Sequence, residues 1–365
     1  VKILFLTNGL TEPASRFRVM QFLPHFRRAG IECTNRSAYG AQYNRLANRS
    51  IGPAYKLACR LSRAAYTLFP DAYDLVFLQR TALPGSALPE RIAALRHGRV
   101  VFDFDDSIFL GPDTLESPAR RRAFRQAVRA SRHVIAGNQY LAEQAAAPEK
   151  TTVIPTVVDT DVYTPAPGRR AGDRVVIGWI GTSTNFVFLP QVVPAILRIL
   201  EENPRAVFRL VANARYAELD GHPQVEQIPW SAETEIPLLQ SFDVGVMPLY
   251  DSEAARGKCG FKMIQYMAVG CPVLASDVGA NPAILGGSGA GELVGGPEGW
   301  YPPLRALVES AEMRRRMGES ARRHVVRSYS TLGVLGVYLR LFEEVAGMAV
   351  DRTGVREALP APSHP

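Results

Sequence analysis

The residues best placed to do chemistry in this 365-residue chain lie in Pro248–Gly279, PLYDSEAARGKCGFKMIQYMAVGCPVLASDVG. Lys258 and Lys262 are the only lysines after position 150, and Arg256 and Gly257 precede them. Four residues apart, the two lysines share a face if a helix starts there. A glycine turn feeding a helix N-terminus adds N–H groups and the positive end of the helix dipole. A basic first turn is unfavourable at that end of a helix unless an anion is present. Arg256, Lys258 and Lys262 are therefore expected to hold a diphosphate, against the plainer reading of an exposed basic turn.

Four further constellations carry polar chemistry. In Phe102–Ser107, FDFDDS, the acids Asp103, Asp105 and Asp106 crowd the end of an apolar run. Such a cluster suits hydroxyl binding, general-base work or metal ligation, and also an ordinary turn or helix cap. In Val175–Asn185, VVIGWIGTSTN, a glycine-rich turn closes a strand, and Gly181 and Thr182 sit where α/β sheets collect ligands. An ordinary strand–helix turn reads the same. In Asn8–Arg18, NGLTEPASRFR, Gly9 permits close approach while Ser15, Arg16 and Arg18 offer donors; a plain connector with surface arginines is the alternative. Trp230 follows Pro229 at another strand end, and packing is the commoner role of tryptophan. No Ser-His-Asp or Cys-His arrangement stands out. Cys33, Cys59, Cys259 and Cys271 form no C-x-x-C pair, which argues against zinc and a disulfide framework and suits a reducing cytoplasm.

These residues need a scaffold, and the pattern supplies one. Short apolar runs at 1–7, 74–79, 99–104, 133–136 and 151–155 alternate with helical segments such as 16–29 and 123–131. Continuous apolar runs between helices indicate parallel strands covered on both faces. The stretch Tyr163–Arg174, YTPAPGRRAGDR, reads as a linker. The pattern then restarts with strands at 175–180, 206–211, 225–228, 244–247 and 273–275 and a helix over 189–202. The expected organisation is α/β, with Rossmann-like domains at 1–165 and 166–335 facing across a cleft. A C-terminal helix near 329–349 is expected, with 336–365 crossing back to the first domain and ending in a disordered proline-rich tail over 359–365.

Composition bounds the possibilities. Apolar residues make up 47% and charged residues 21%, so two ordinary cores can be buried. No apolar stretch reaches the roughly 18 residues that a membrane-spanning helix needs. Val1–Leu6 reads as a strand and not as the basic region of a signal peptide. Net charge is +7, but 37 of the 42 basic residues are arginine, many scattered along helices, as in Arg120–Arg122 and Arg314–Arg316. Solvated helix faces account for most of that charge; an anion-attracting patch remains the alternative.

The segment Phe261–Ser276, FKMIQYMAVGCPVLAS, resembles the donor-binding helix and following strand of retaining glycosyltransferases of family 4 type, which have the two-domain GT-B fold. That family carries a glutamate, seven intervening residues, a second glutamate, Ala-Met-Ala, a glycine and Pro-Val-Val-Ala-Ser. The likeness is strong over about 240–300 and weaker from 1 to 345. Gln265 stands at the second glutamate, which usually binds the nucleotide ribose, and Gly257 stands at the first. Glu253 or Asp251 is expected to replace the latter toward the donor sugar. The segment looks like a sub-branch with an R-G-K-x-x-x-K arrangement.

The resemblance implies transfer of a sugar from a nucleoside diphosphate donor to a hydroxyl, with retention and without a metal or other cofactor. It implies catalytic roles for Asp105, Asp106, Lys258 and Arg256, and donor contacts from Gly181, Thr182, Trp230, Glu253, Lys262 and Gln265. Acceptor-side roles fall to Gly9, Arg16 and Asp103. The acceptor is expected to be a saccharide, a lipid-linked group or a natural product. No nucleic acid is expected; the site of action is the cytoplasm, with a peripheral membrane contact left open. A sugar-nucleotide 2-epimerase of the same fold is the alternative enzyme. A non-catalytic basic protein binding nucleic acid or a membrane surface is the alternative of another class. The absence of G-x-G-x-x-G after either first strand argues against an oxidoreductase.

Overall fold

A computed structural model describes residues 1–10, 12–40, 52–68, 72–111, 114–167, 174–351 and 354. The tail over 359–365 and the middle of the expected linker lie outside the described residues. The chain divides into two compact units. The first comprises Val1–Val157, Gly257–Cys259 and Thr331–Pro365; the second comprises Val158–Arg256 and Gly260–Ser330. The divisions thus fall at Val157/Val158 and Ser330/Thr331, a few residues before those read from the linker.

In the first unit, β1 (Lys2–Gly9), β2 (Glu32–Tyr39), β3 (Leu75–Gln79), β4 (Val100–Phe104), β5 (His133–Ala136) and β6 (Thr151–Val153) form one parallel sheet. Its order is β2-β1-β3-β4-β5-β6. Every residue of β3 and β4 is buried, as their unbroken apolar runs require. The chain leaves β1 for one side of the sheet and returns to β3 on the other. Loops diverge at that point, and the gap between them faces the C-terminal ends of the strands. The segment expected as one helix over 16–29 is broken into Pro13–Arg18, a tight turn Met20–Phe22 and Leu23–Arg28. Pro24 explains the break: its ring fits a first helical turn but not an interior. Phe22 and Phe26 pack with Phe5, Tyr338 and Phe342, the last two from the helix Thr331–Ala346.

The second unit repeats the plan. The strands β7 (Val175–Gly181), β8 (Ala206–Ala212), β9 (Val225–Pro229), β10 (Val244–Met247), β11 (Val273–Ser276) and β12 (Gly291–Val294) are parallel, in the order β12-β11-β10-β7-β8-β9. Here the strand order reverses between β7 and β10. Trp179, Ile196, Phe208, Leu274, Trp300 and Leu304 are among the residues of its core. Only Val193–Glu202 of the expected 189–202 helix is α-helical, because Pro190 leaves the preceding Ser183–Gln191 as tighter 3-10 turns. Among the described residues no single helix is long and apolar enough to cross a membrane.

Candidate active site

In the second unit the site is built where β7 ends. Three glycines let the helix Phe261–Ala268 and its neighbours come close. A Cβ on Gly178 would lie 2.1 Å from the Phe242 ring, and one on Gly245 would lie 2.4 Å from the Tyr266 ring. The Tyr266 hydroxyl accepts from the Ile180 N–H at 3.0 Å, and burial pushes that phenol well above its ordinary value. A Cβ on Gly181 would lie 2.7 Å from Lys262 Cε and 2.7 Å from the Trp179 indole. Lys262 Nζ sits 5.7 Å from the centre of that indole. Lys262 and Gly181 are therefore together, at the C-terminal end of the strand where the order reverses, on the first turn of a helix. At the other end of this helix, Arg322 donates to the Ala268 carbonyl at 2.8 Å and to the Tyr163 carbonyl at 2.6 Å. A cation at a helix C-terminus complements the dipole. Thr182 is exposed and accepts from Asn185 Nδ2 at 2.9 Å, while the Ser183 N–H goes to Asn213 Oδ1 at 2.7 Å.

Trp230 and Gln265, read separately from the sequence, meet through a residue that reading missed. Glu235 opens the short helix Glu235–Gln240 and is 4% exposed. Its Oε2 accepts from Trp230 Nε1 at 2.8 Å. Its Oε1 accepts from Gln265 Nε2 at 3.4 Å and from the Tyr163 hydroxyl. Tyr163 was expected to begin a linker; it is buried in the second unit instead. The sequence signal for Glu235 is weak, since an acid in a helix first turn is ordinary.

The basic run needs correction. The helix before it is Glu253–Arg256 and the next begins at Phe261, so Lys258 is in the loop and does not share a helix face with Lys262. Gly260, at φ +57°, takes the chain through the left-handed region between them. Arg256 is exposed and paired with Asp251 at 2.7 Å and 2.8 Å. Burial is slight there, and the Arg256 hydrogen bond holds the Asp251 carboxyl below its ordinary range. Glu253 is half-buried at the start of its four-residue helix.

In the first unit the acids at the end of β4 are balanced from within. Asp103 is fully buried, and both of its oxygens accept from Arg18 Nε, at 3.0 Å and 2.9 Å. Arg18 also reaches the Ile154 carbonyl at 3.0 Å. The expectation that Asp103 faces an acceptor is therefore corrected: it is an internal counter-ion. Burial pushes its carboxyl up, and Arg18 pulls it down only in part. Asp105 accepts from Arg80 Nη2 at 2.7 Å and Nε at 2.9 Å. Burial alone would raise the Asp105 carboxyl, but Arg80 and Arg18 outweigh it and hold it below its ordinary value. Arg80 was not singled out from the sequence. It follows β3 with φ +57°, a conformation rare for a side-chain-bearing residue, and strain of this kind concentrates at functional positions. Asp106 is the most open of the three, with its side chain 46% exposed and 3.9 Å from Arg80. Among the described residues no three His, Cys, Asp or Glu side chains converge to hold a metal ion.

The turn Gly257–Cys259 belongs to this same cluster. Cys259 Sγ donates to the Asp105 carbonyl at 3.2 Å, and Asn138 Nδ2 donates to the Lys258 carbonyl at 3.0 Å. A Cβ on Gly257 would lie 2.0 Å from Ser107 Oγ and 3.1 Å from its backbone nitrogen. No side chain fits at 257, which is a physical reason why a glutamate is missing there. Gly9 ends β1, where a Cβ would lie 3.3 Å from Glu12 Cγ, and Arg16 is half-buried with its guanidinium 4.7 Å from the Phe17 ring centre.

Comparison with known proteins agrees with this architecture. Residues 174–309 match the family described as glycosyl transferases group 1. A D-inositol 3-phosphate glycosyltransferase of Corynebacterium efficiens is 24% identical over 273 residues, 66% of this chain and 62% of that protein. An MMP alpha-(1->4)-mannosyltransferase of Mycolicibacterium hassiacum is 26% identical over 218 residues, 56% of this chain and 51% of that protein. The chain thus spans between about half and 62% of the length of these curated relatives. Among solved structures, a glycosyltransferase from Rickettsia africae ESF-5 superposes with a TM-score of 0.70 at 15% identity, covering 94% of this chain and 98% of that one. HepE of Anabaena, crystallised with UDP-glucose, superposes with a TM-score of 0.68 at 15% identity, covering 95% of this chain and all of that one. With two parallel six-stranded sheets, the fold is the α/β, two-domain GT-B type.

Proposed function

We propose that this protein transfers a glycosyl group from a nucleoside diphosphate sugar to an acceptor hydroxyl, with retention of configuration and without a metal ion. The observation that carries this reading is Lys262, held beside Gly181 at the C-terminal end of β7 within the glycosyl transferases group 1 match. When the sugar–phosphate bond breaks, negative charge develops on the leaving diphosphate. A fixed ammonium beside a close-approach glycine stabilises that charge in the transition state. Arg256 and Lys258 are read as the further cations of the segment, and Gln265, Trp230 and Thr182 as nucleoside and donor contacts. Asp105 and Asp106 are read as acceptor-side groups and Glu253 as a contact to the donor sugar. HepE was crystallised with UDP-glucose, and the relatives are named as glycosyl- and mannosyltransferases, which supports a nucleotide-sugar donor and a saccharide-like acceptor. No observation favours the epimerase or the non-catalytic basic binder.

The test is a panel of UDP- and GDP-sugars with saccharide, inositol phosphate and lipid-linked acceptors. Release of nucleoside diphosphate that depends on the acceptor is the expected result. The product's anomeric configuration, read by proton NMR, should match the donor's. Chelator should leave turnover nearly unchanged. An inverted product, or turnover abolished by chelator and restored by Mg²⁺, would overturn that part of the reading.

A further inference from the structure

The cluster around Glu235 has a chemical polarity. A carboxylate is acceptor-only, while a primary amide has one acceptor and one donating end. Glu235 Oε1 lies 3.4 Å from Gln265 Nε2, so the amide must turn its NH₂ toward the carboxylate. Its other end, Oε1, accepts no hydrogen bond from the described residues and is not among the buried polar atoms left unpaired, so it reaches solvent from a residue only 5% exposed. Trp230 and Tyr163 hold the carboxylate from other directions, both as donors, so Glu235 is fixed before any ligand arrives. A glutamate at 265 would put two carboxylates side by side in a buried site, and like charges that close do not both ionise.

We propose that Glu235 is a positioning residue for Gln265: it orients the amide so that Gln265 Oε1 is the acceptor for a ribose hydroxyl of the donor nucleoside. This rests on the nucleotide-sugar reading above. It explains a glutamine at the position where the family it resembles has a glutamate. Position 265 keeps a hydroxyl-accepting oxygen and gives up the charge, which Glu235 carries from another element. Glu235 acts through Gln265 and through Trp230 and need not touch the ligand.

The experiment titrates the full chain with UDP, GDP, the 2′-deoxy and 3′-deoxy forms of each, and inorganic pyrophosphate. Wild type should prefer a ribonucleotide to one of its deoxy forms by about tenfold, as expected for a lost hydrogen bond to a preformed acceptor. Glu235→Gln frees the amide to turn either way, so the preference should fall to about threefold or less while pyrophosphate affinity stays within twofold. The exchange Glu235→Gln with Gln265→Glu restores one donor facing one carboxylate and should restore the preference. Gln265→Glu alone should lower the melting temperature at pH 7, and the exchange should recover it. A folded Glu235→Gln that keeps the full preference overturns the proposal. So does an exchange variant that recovers stability but no preference, which would make Glu235 merely structural. If wild type binds neither nucleotides nor pyrophosphate, the donor-site reading itself fails. The melting series still reports whether the two side chains are paired as described.

Discussion

The C-terminal ends of the two sheets place their charges in different surroundings. At the end of β4 in the first unit, each deeply placed acid has an arginine built against it: Arg18 on Asp103 and Arg80 on Asp105. At the end of β7 in the second unit, the cation Lys262 is set against an indole and a glycine. A closed pair spends its hydrogen bonds on itself. An acid run in a sequence therefore says less about ligands than a lysine beside a glycine does, since the acids' counter-ions come from distant positions.

The largest expected effect tests the closed side. Arg18→Ala leaves Asp103 buried without its partner, and breaking a buried pair in this way costs about 3–5 kcal/mol. Urea unfolding should show that loss. A loss under 1 kcal/mol would mean that Asp103 is not held as an internal ion pair.

The Lys262 end should respond in binding and not in folding. Lys262→Ala should weaken nucleoside diphosphate binding about tenfold or more, from roughly 1.5–3 kcal/mol for hydrogen bonds to a charged group. Its melting temperature should stay close to wild type. Calorimetric titration decides between this and a structural lysine, for which stability would fall and affinity would not.

A third effect concerns the turn that carries Lys258. Gly257→Ala introduces a Cβ where Ser107 Oγ would be 2.0 Å away. Overpacking of this kind costs about 1–3 kcal/mol. Pairing it with Ser107→Gly should recover part of the loss. An unchanged Gly257→Ala variant would show that the turn is looser than the cluster around Asp105.

Much of the fold was legible in the sequence because buried parallel strands leave continuous apolar runs, as in Leu75–Gln79 and Val100–Phe104. The strands missed, β2 and β12, are both sheet edges. ECTNRSAY and GELV are partly exposed and so carry polar residues instead of running apolar. The helix Gly52–Ala65 was also missed. Lys262 and Gly181 stand out in the sequence because a lysine is rare in this arginine-rich chain and glycines mark close approach, and the structure sets the two side by side. The partners Arg18, Arg80 and Glu235 were hard to read as partners because pairing across 85, 25 and 30 positions leaves no local pattern. Lys258 was placed on a helix because spacing alone cannot see Gly260 turning the chain left-handed.

The smallest effect lies in the acid limb of stability and sharpens the comparison at one residue. Asp105 has its carboxyl held below the ordinary range: burial opposes ionisation, but Arg80 and Arg18 outweigh it. The folded state then binds its proton less readily than the unfolded chain, whose aspartates titrate near about 3.9. Asp105 therefore contributes stability that is fully present above that value and is lost as pH falls through the lower folded value. Asp105→Asn cannot titrate, and its amide leaves the Arg80 charge only the more distant Asp106 carboxylate, 3.9 Å away. The variant should be less stable than wild type at pH 7, and the gap should close below pH 4 as wild type takes up the proton. Nucleoside diphosphate affinity should be unchanged at both ends, because Lys262 and not Asp105 is read as the diphosphate contact. Denaturant midpoints from pH 7 to pH 2.5 check the first point. A gap that widens in acid would reverse the sign and leave Asp105 paired with something other than a cation.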